Sequence, residues 1–251
     1  MRAFLAGCFA VVLAHGADAA DRVVTMITPS PVAKGVAAMP RIAGPVDAAE
    51  RRINVAVRQL DGSVAKAAAE CRRDAEGPAA PDADWSRQVE VTMAGPRYLS
   101  YVITDDAFCG GAHPATGTMS IVYDLGTGRP VDWATLLPRA LVGKLTLQAG
   151  MDGTRTVALT SPGLHALYLK GYGATAMGHD ADCRDAVAAG SESPPLSVWL
   201  DARAGGLAVQ FDLAHVVQAC ALAVVIPAAA LAAAGANPEL VRAIDAAHAR
   251  H

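Results

Sequence analysis

The chain has 251 residues, of which 53% are hydrophobic and 18% charged, with a formal net charge of −3. That length supports one large domain or two small ones with a real core. No block of Lys or Arg occurs and no apolar run is long enough to span a bilayer, so the sequence predicts no nucleic-acid partner and no membrane span.

Arg2 precedes an apolar run that continues to Ala14, and Ala17-Asp18-Ala19 follows with small residues. A short basic start, an apolar stretch and an A-x-A site make up a secretory signal peptide, so cleavage is expected near Ala19 and residues 1–19 are set apart from the fold. Leu5-Ala6-Gly7-Cys8 has the look of a lipobox, but only four residues precede it and the apolar run continues beyond Cys8, so ordinary cleavage fits better. The mature protein is therefore expected in the periplasm or the medium.

Residues 20–38 read as an N-terminal strand, around Arg22 to Ile27, and a linker; the main domain is placed at 39–235 and a terminal helix at 236–251. Asp47 can cap a long helix, with Glu50 three places on as its capping-box partner. Ile53, Val57, Leu60, Val64, Ala67 and Cys71 then recur at steps of four and three along one helical face, with Gly62 a point at which the helix could be interrupted. From Trp85 the period changes: Val89, Val91 and Met93 alternate with polar residues, Gly95-Pro96 turns the chain, and Tyr98 to Thr104 returns as the second arm of a hairpin. Asp105 to Thr116 is expected to be a loop, Met119 to Leu125 a strand, and Gly126 to Pro130 a turn.

Two helices are expected next, near Leu137 to Gln148 and from Ser161-Pro162 to Gly171, followed by a loop around Cys183. Leu196 to Leu200, Leu207 to Leu213 and Leu222 to Ile226 read as strands, and Asn237-Pro238 opens the last helix. The predicted fold class is α+β, an antiparallel sheet packed with helices.

With the leader removed, Cys71, Cys109, Cys183 and Cys220 remain. An even number in an exported chain reads as two disulfides. Three pairings are possible; Cys71–Cys109 with Cys183–Cys220 is expected because each ties neighbouring elements within one half of the chain. Each such loop of about 38 residues is worth roughly 3–4 kcal/mol in the chain-entropy picture.

The candidate binding residues lie around Cys109-Gly110-Gly111-Ala112-His113-Pro114, with Tyr123 and Asp124 downstream. Paired glycines allow close backbone approach, and a histidine there can donate, accept or exchange a proton. The plainer reading is a loop that needs glycine geometry beside a disulfide. Asp105 and Asp106 with His113 form the nearest thing to an acid/base set, the basis of an alternative in which the chain is a small exported hydrolase. No G-x-S-x-G elbow accompanies them. His179-Asp180-Ala181-Asp182-Cys183 concentrates potential ligands, but its spacing matches no closed zinc pattern, so no metal and no cofactor are predicted.

Gly110-Gly111-Ala112-His113-Pro114 ahead of a strand ending Tyr123-Asp124-Leu125, with Thr127-Gly128 after it, resembles the extracytoplasmic domain shared by the lysozyme-binding anti-sigma factor RsiV and the peptidoglycan deacetylase PdaC. Pro40-Arg41-Ile42-Ala43-Gly44 with Ile53-Asn54 resembles that domain's opening segment, and Leu207 to Pro227 its closing strand pair, so the likeness covers most of 39–235. The chain departs from it at Leu213 to Val217, where aromatic residues are common, and at Leu136-Leu137-Pro138. The resemblance implies an envelope binding module whose partner is a muramidase, another cell-wall protein or a wall-related ligand. It carries over neither sigma control nor deacetylation, and a structural or accessory envelope role is the remaining alternative.

Overall fold

The structure, a computed structural model, describes residues 23–74, 84–110, 113–189 and 193–251. Two short strands, β1 (Met26–Ile27) and β2 (Arg41–Ile42), pair antiparallel and lead into α1 (Ala48–Asp74). The helix begins where Asp47 Oδ1 accepts from the Glu50 amide at 2.9 Å; the Glu50 carboxylate reaches back to the Val46 amide. Ile53, Val57, Val64, Ala68 and Cys71 are buried on its inner face, as their spacing predicts. Gly62 does not break the helix, because packing of that face outweighs one residue of poor propensity.

Two polar side chains are buried on the same face. Asn54 both accepts from the Ile42 amide at 2.9 Å and donates to the Ile42 carbonyl at 2.8 Å. Asp61 accepts from the Met39 amide and from Arg41, each at 2.8 Å. They clip the incoming segment to the helix as a strand partner would.

α1 lies against a four-stranded antiparallel sheet, ordered β3 (Asp84–Ala94), β4 (Tyr98–Phe108), β5 (Ala115–Asp124), β6 (Arg129–Pro130). The expected loop from Asp105 to Thr116 is therefore much shorter: β4 runs on to Phe108 and β5 starts at Ala115, with Asp106 opposite Thr116 and Asp105 opposite Gly117. Charge pairing explains the difference. Asp105 is fully buried and takes a bidentate pair from Arg87, Nε to Oδ1 and Nη2 to Oδ2 at 2.7 Å each, plus the Trp85 indole N–H at 2.9 Å.

The region read as one helix near Leu137 to Gln148 is instead α2 (Trp133–Leu136), α3 (Arg139–Val142) and the strand β7 (Lys144–Ala149). Pro138 separates the helices, and Gly143, at φ +57°, turns the chain where a Cβ would lie 2.3 Å from the Thr160 carbonyl oxygen. Leu145-Thr146-Leu147-Gln148 has the alternation of a strand, and it forms a hairpin with β8 (Arg155–Thr160). Ser161 caps α4 (Pro162–Tyr172) as expected, accepting from the Leu164 amide. The supposed loop around Cys183 is α5 (Ala176–His179) and α6 (Ala181–Ala188), started by the side chains of Thr175 and Asp180.

β9 (Pro195–Asp201), β10 (Gly206–Gln210) and β11 (Val224–Pro227) complete a second antiparallel sheet, ordered β11-β10-β9-β8-β7. α7 (Ala228–Ala233) starts directly after Pro227, and the Asn237 side chain caps α8 (Pro238–His248). Leu240, Ala243 and Ile244 of α8 share one core cluster with Leu164, Tyr168 and Leu207. The class is α+β, as predicted.

β8 stays beside β9 for only two residue pairs, which frees one edge of β9. Side chains of the first sheet meet it: Ser120 donates to the Val198 carbonyl at 2.8 Å, Ser100 Oγ accepts from the Leu200 amide at 3.0 Å, and Ser197 donates to the Thr118 carbonyl at 3.0 Å. The Ala202 amide reaches the Thr92 carbonyl at 2.9 Å. Short hydroxyl side chains thus join the two sheets along a seam where ladder bonds stop. Both expected disulfides form, Cys71–Cys109 and Cys183–Cys220.

Candidate functional site

At one end of the seam the sheets part and leave a cleft of about 170 Å³. One wall is the start of β5, from Ala115 to Met119; the other comes from the β7–β8 hairpin, Gln148 to Met151, and from Asp212, which follows β10. The Asp212 carboxylate accepts from the Thr118 amide through both oxygens at 3.1 Å and from Gln218 Nε2 at 3.5 Å. No ion-pair partner of Asp212 is found among the described residues. Burial raises its pKa above the ordinary aspartate value, although these hydrogen bonds pull the other way. Gln210 donates to Thr118 Oγ1 at 3.0 Å, which orients that hydroxyl at the cleft.

Beneath the cleft lies the buried ion-pair group. Arg87, besides holding Asp105, reaches Asp152 of the hairpin turn at 3.2 Å, and Thr154 donates to both Asp152 oxygens. Burial works against the Arg87 charge, but the two carboxylates more than offset it and leave the guanidinium pKa raised. Two carboxylates here share one guanidinium.

Two histidines stand together near the cleft. His113 follows Cys109 and Gly110, whose φ of +86° suits only glycine, and its ring stacks on His215 with centroids 6.1 Å apart. His215 opens the 3₁₀ turn His215–Cys220 that follows Asp212, and both rings are exposed. The His215 turn is tied to a disulfide, since Cys220 closes it, and in sequence the disulfide-bonded Cys109 lies four residues before His113. Tyr172 fixes that turn further, donating to the Cys220 carbonyl at 2.9 Å.

The sequence-derived set divides in two. Gly110 follows the end of β4, His113 and the exposed Pro114 directly precede β5, and Gly111 lies outside the described residues. Tyr123 and Asp124 lie at the other end of β5, nine residues on, or about 30 Å along an extended strand. Tyr123 is buried, meets Tyr101 edge to face at 6.3 Å, and lines a separate cavity of about 160 Å³ with Trp133 and Arg155. Burial pushes its phenol pKa up to about 12. Asp124 is taken up by its own turn, accepting from the Gly126 and Thr127 amides and pairing with Arg97 at 2.8 Å. Gly128 is required there because a Cβ would lie 2.3 Å from the Ala49 carbonyl oxygen of α1.

Asp105 lies in β4 and not in the loop that the sequence suggested; its carboxylate is occupied by Arg87 and Trp85. Asp106 accepts from Thr116 Oγ1 at 2.5 Å on the exposed face. His179 and Asp180 end one helix and cap the next, and Cys183 is in its disulfide. Among the described residues no group of three or more His, Cys, Asp or Glu side chains is placed to hold a metal, and no helix is long and apolar enough to cross a membrane.

Asp212, Gln148 and Asp152 escaped the sequence reading. The missed signal was the turn Gly150-Met151-Asp152-Gly153, flanked by two alternating stretches, which marks a hairpin and so brings Gln148 beside the β5 end.

No protein-family model matches the chain, and no curated protein matches it. Solved structures do. A DUF3298 family protein from Pseudomonas aeruginosa superposes with a TM-score of 0.51 at 15% identity, covering 80% of this chain and 84% of that one. The fold is DUF3298-like. A DUF3298 family member from Bacteroides fragilis is also similar, with a TM-score of 0.46, 14% identity, and coverage of 80% of this chain and 74% of that one.

Proposed function

We propose that this DUF3298-like chain is an exported binding module of the cell envelope, and that it recognises its ligand at the cleft bounded by the β5 start, the β7–β8 hairpin and Asp212, with His113 and His215 beside it. The observation that carries the reading is the stacking of His113 on His215, whose turn ends at the disulfide-bonded Cys220. A recognition surface held this way loses little conformational entropy on binding. Two disulfides also suit an oxidising compartment outside the cytosol. The resemblance to the RsiV and PdaC domain favours a muramidase or a wall-related ligand as partner.

Immobilised, oxidised protein tested against lysozyme and soluble wall fragments should retain at least one of them. Binding should weaken at least tenfold in His113→Ala or His215→Ala with the melting temperature unchanged. Retention of none of these ligands above a blank surface would remove the proposal.

A further inference from the structure

The cleft holds two hydrogen-bond acceptors whose capacity the protein leaves unused. Asp212 carries a negative charge with no cationic partner among the described residues; its two oxygens receive the Thr118 amide, the Thr118 hydroxyl and a long contact from Gln218, which leaves lone pairs facing the cleft. Gln148 lines the same cleft, and its Oε1 is shielded from solvent without any hydrogen-bond donor. A shielded acceptor left unsatisfied carries a desolvation penalty, and a ligand that supplies a donor recovers it. The remaining walls include Thr116, Thr118 and the flexible thioethers Met119 and Met151, which suit an apolar stem. About 170 Å³ admits a small group and excludes a whole side-chain cluster or a sugar chain.

Anions are disfavoured by Asp212 and by the Asp105–Asp152 pair that shares the single Arg87 guanidinium next to the cleft. A neutral hydroxyl supplies one donor and leaves the charge uncompensated. A guanidinium is planar and forks towards two oxygens of one carboxylate, but Asp212 already directs both oxygens at the Thr118 amide. An ammonium has three donors on a compact centre, enough for Asp212, Gln148 Oε1 and a threonine hydroxyl.

We propose that the Asp212 cleft binds a primary ammonium group on a short alkyl stem, with Asp212 as counter-ion and Gln148 Oε1 as second acceptor. This rests on the reading of the cleft as the recognition site. Two sources present that chemistry: the lysine side chain of a partner protein, and the free side-chain amine of a wall stem peptide.

The test uses the oxidised, folded protein and n-butylammonium chloride, with n-butanol and tetramethylammonium chloride as controls, followed by amide NMR shifts. Saturable shifts at Gly117, Thr118 and Gly150 are expected with n-butylammonium and not with either control. Asp212→Asn should weaken binding at least tenfold. Gly117→Ala is a second block, since its methyl would sit 3.6 Å from Met151 Cε and 3.8 Å from Asp212 Oδ2, ordinary contacts that leave the fold intact while filling the cleft. Nα-acetyl-lysinamide and a muropeptide with a free side-chain amine then separate the two sources by their relative affinities. Equal binding of butanol, or n-butylammonium binding unaffected by both substitutions, overturns the proposal. If lysozyme or wall fragments are retained while n-butylammonium is not, the ammonium assignment falls and the binding-module reading stands; if neither is retained, both fall.

Discussion

Asp105 shows how the value of a charge is set by what surrounds it. Removing one partner of a buried pair strands the other, so Asp105→Ala should destabilise the protein by about 3–5 kcal/mol, read from denaturant midpoints. Arg87 retains Asp152, which places the result at the lower end of that range. Asp212 behaves in the opposite sense. Its pKa is raised in the folded state, so its contribution to stability is present below the ordinary aspartate range and is lost as pH rises through the raised value. Asp212→Asn should therefore melt at or above the wild-type temperature at pH 7, and the advantage should vanish on acidification. Gly62 is exposed in the middle of α1, and a Cβ there meets nothing within 4 Å. Gly62→Ala is expected to add about 0.5–1 kcal/mol of stability, measurable by thermal melting.

At the level of elements, periodicity made the long helix legible, because Ile53 to Cys71 repeats a helical step for five turns and no β alternative fits it. The hairpin of β3 and β4 was equally plain from Val89-Glu90-Val91 and the Gly95-Pro96 turn. What the sequence hid depends on distant partners. Asp105 and Asp106 look like loop residues until Arg87 is placed opposite, and Leu145 and Leu147 fit either a helix or an edge strand until Gly143 turns the chain. Both leucines are exposed on β7, at 44% and 63%, so burial gave no cue. The candidate site was half legible: His113 and its disulfide could be named, whereas Asp212 and Gln148 meet only because two sheets part at the seam. That seam predicts its own cost. Ser100→Ala leaves the Leu200 amide buried without an acceptor and should cost about 1–3 kcal/mol, whereas an exposed serine such as Ser63 should be nearly silent. Replacing Cys183 and Cys220 together by serine should lower stability by roughly 3–4 kcal/mol and loosen the turn that carries His215, visible as faster amide exchange there.

For the molecule as a whole, the two sulfur bridges do not interlock. One closes between positions 71 and 109 and the other between 183 and 220, so the stretch from 110 to 182 is crossed by neither. A single peptide cut in the tip of the β7–β8 hairpin, at Met151 or Asp152, would yield two fragments with no covalent tie. What remains between them is the hairpin ladder itself, the serine hydroxyls, the packing of β9 on the first sheet and that of α3 on α4. The halves should therefore co-elute after nicking under native conditions and part in denaturant without any reductant. Expressed as separate polypeptides, each with its own closed ring, they should reassemble and restore the cleft, which makes the chain a natural split reporter whose signal depends on the two sheets finding each other.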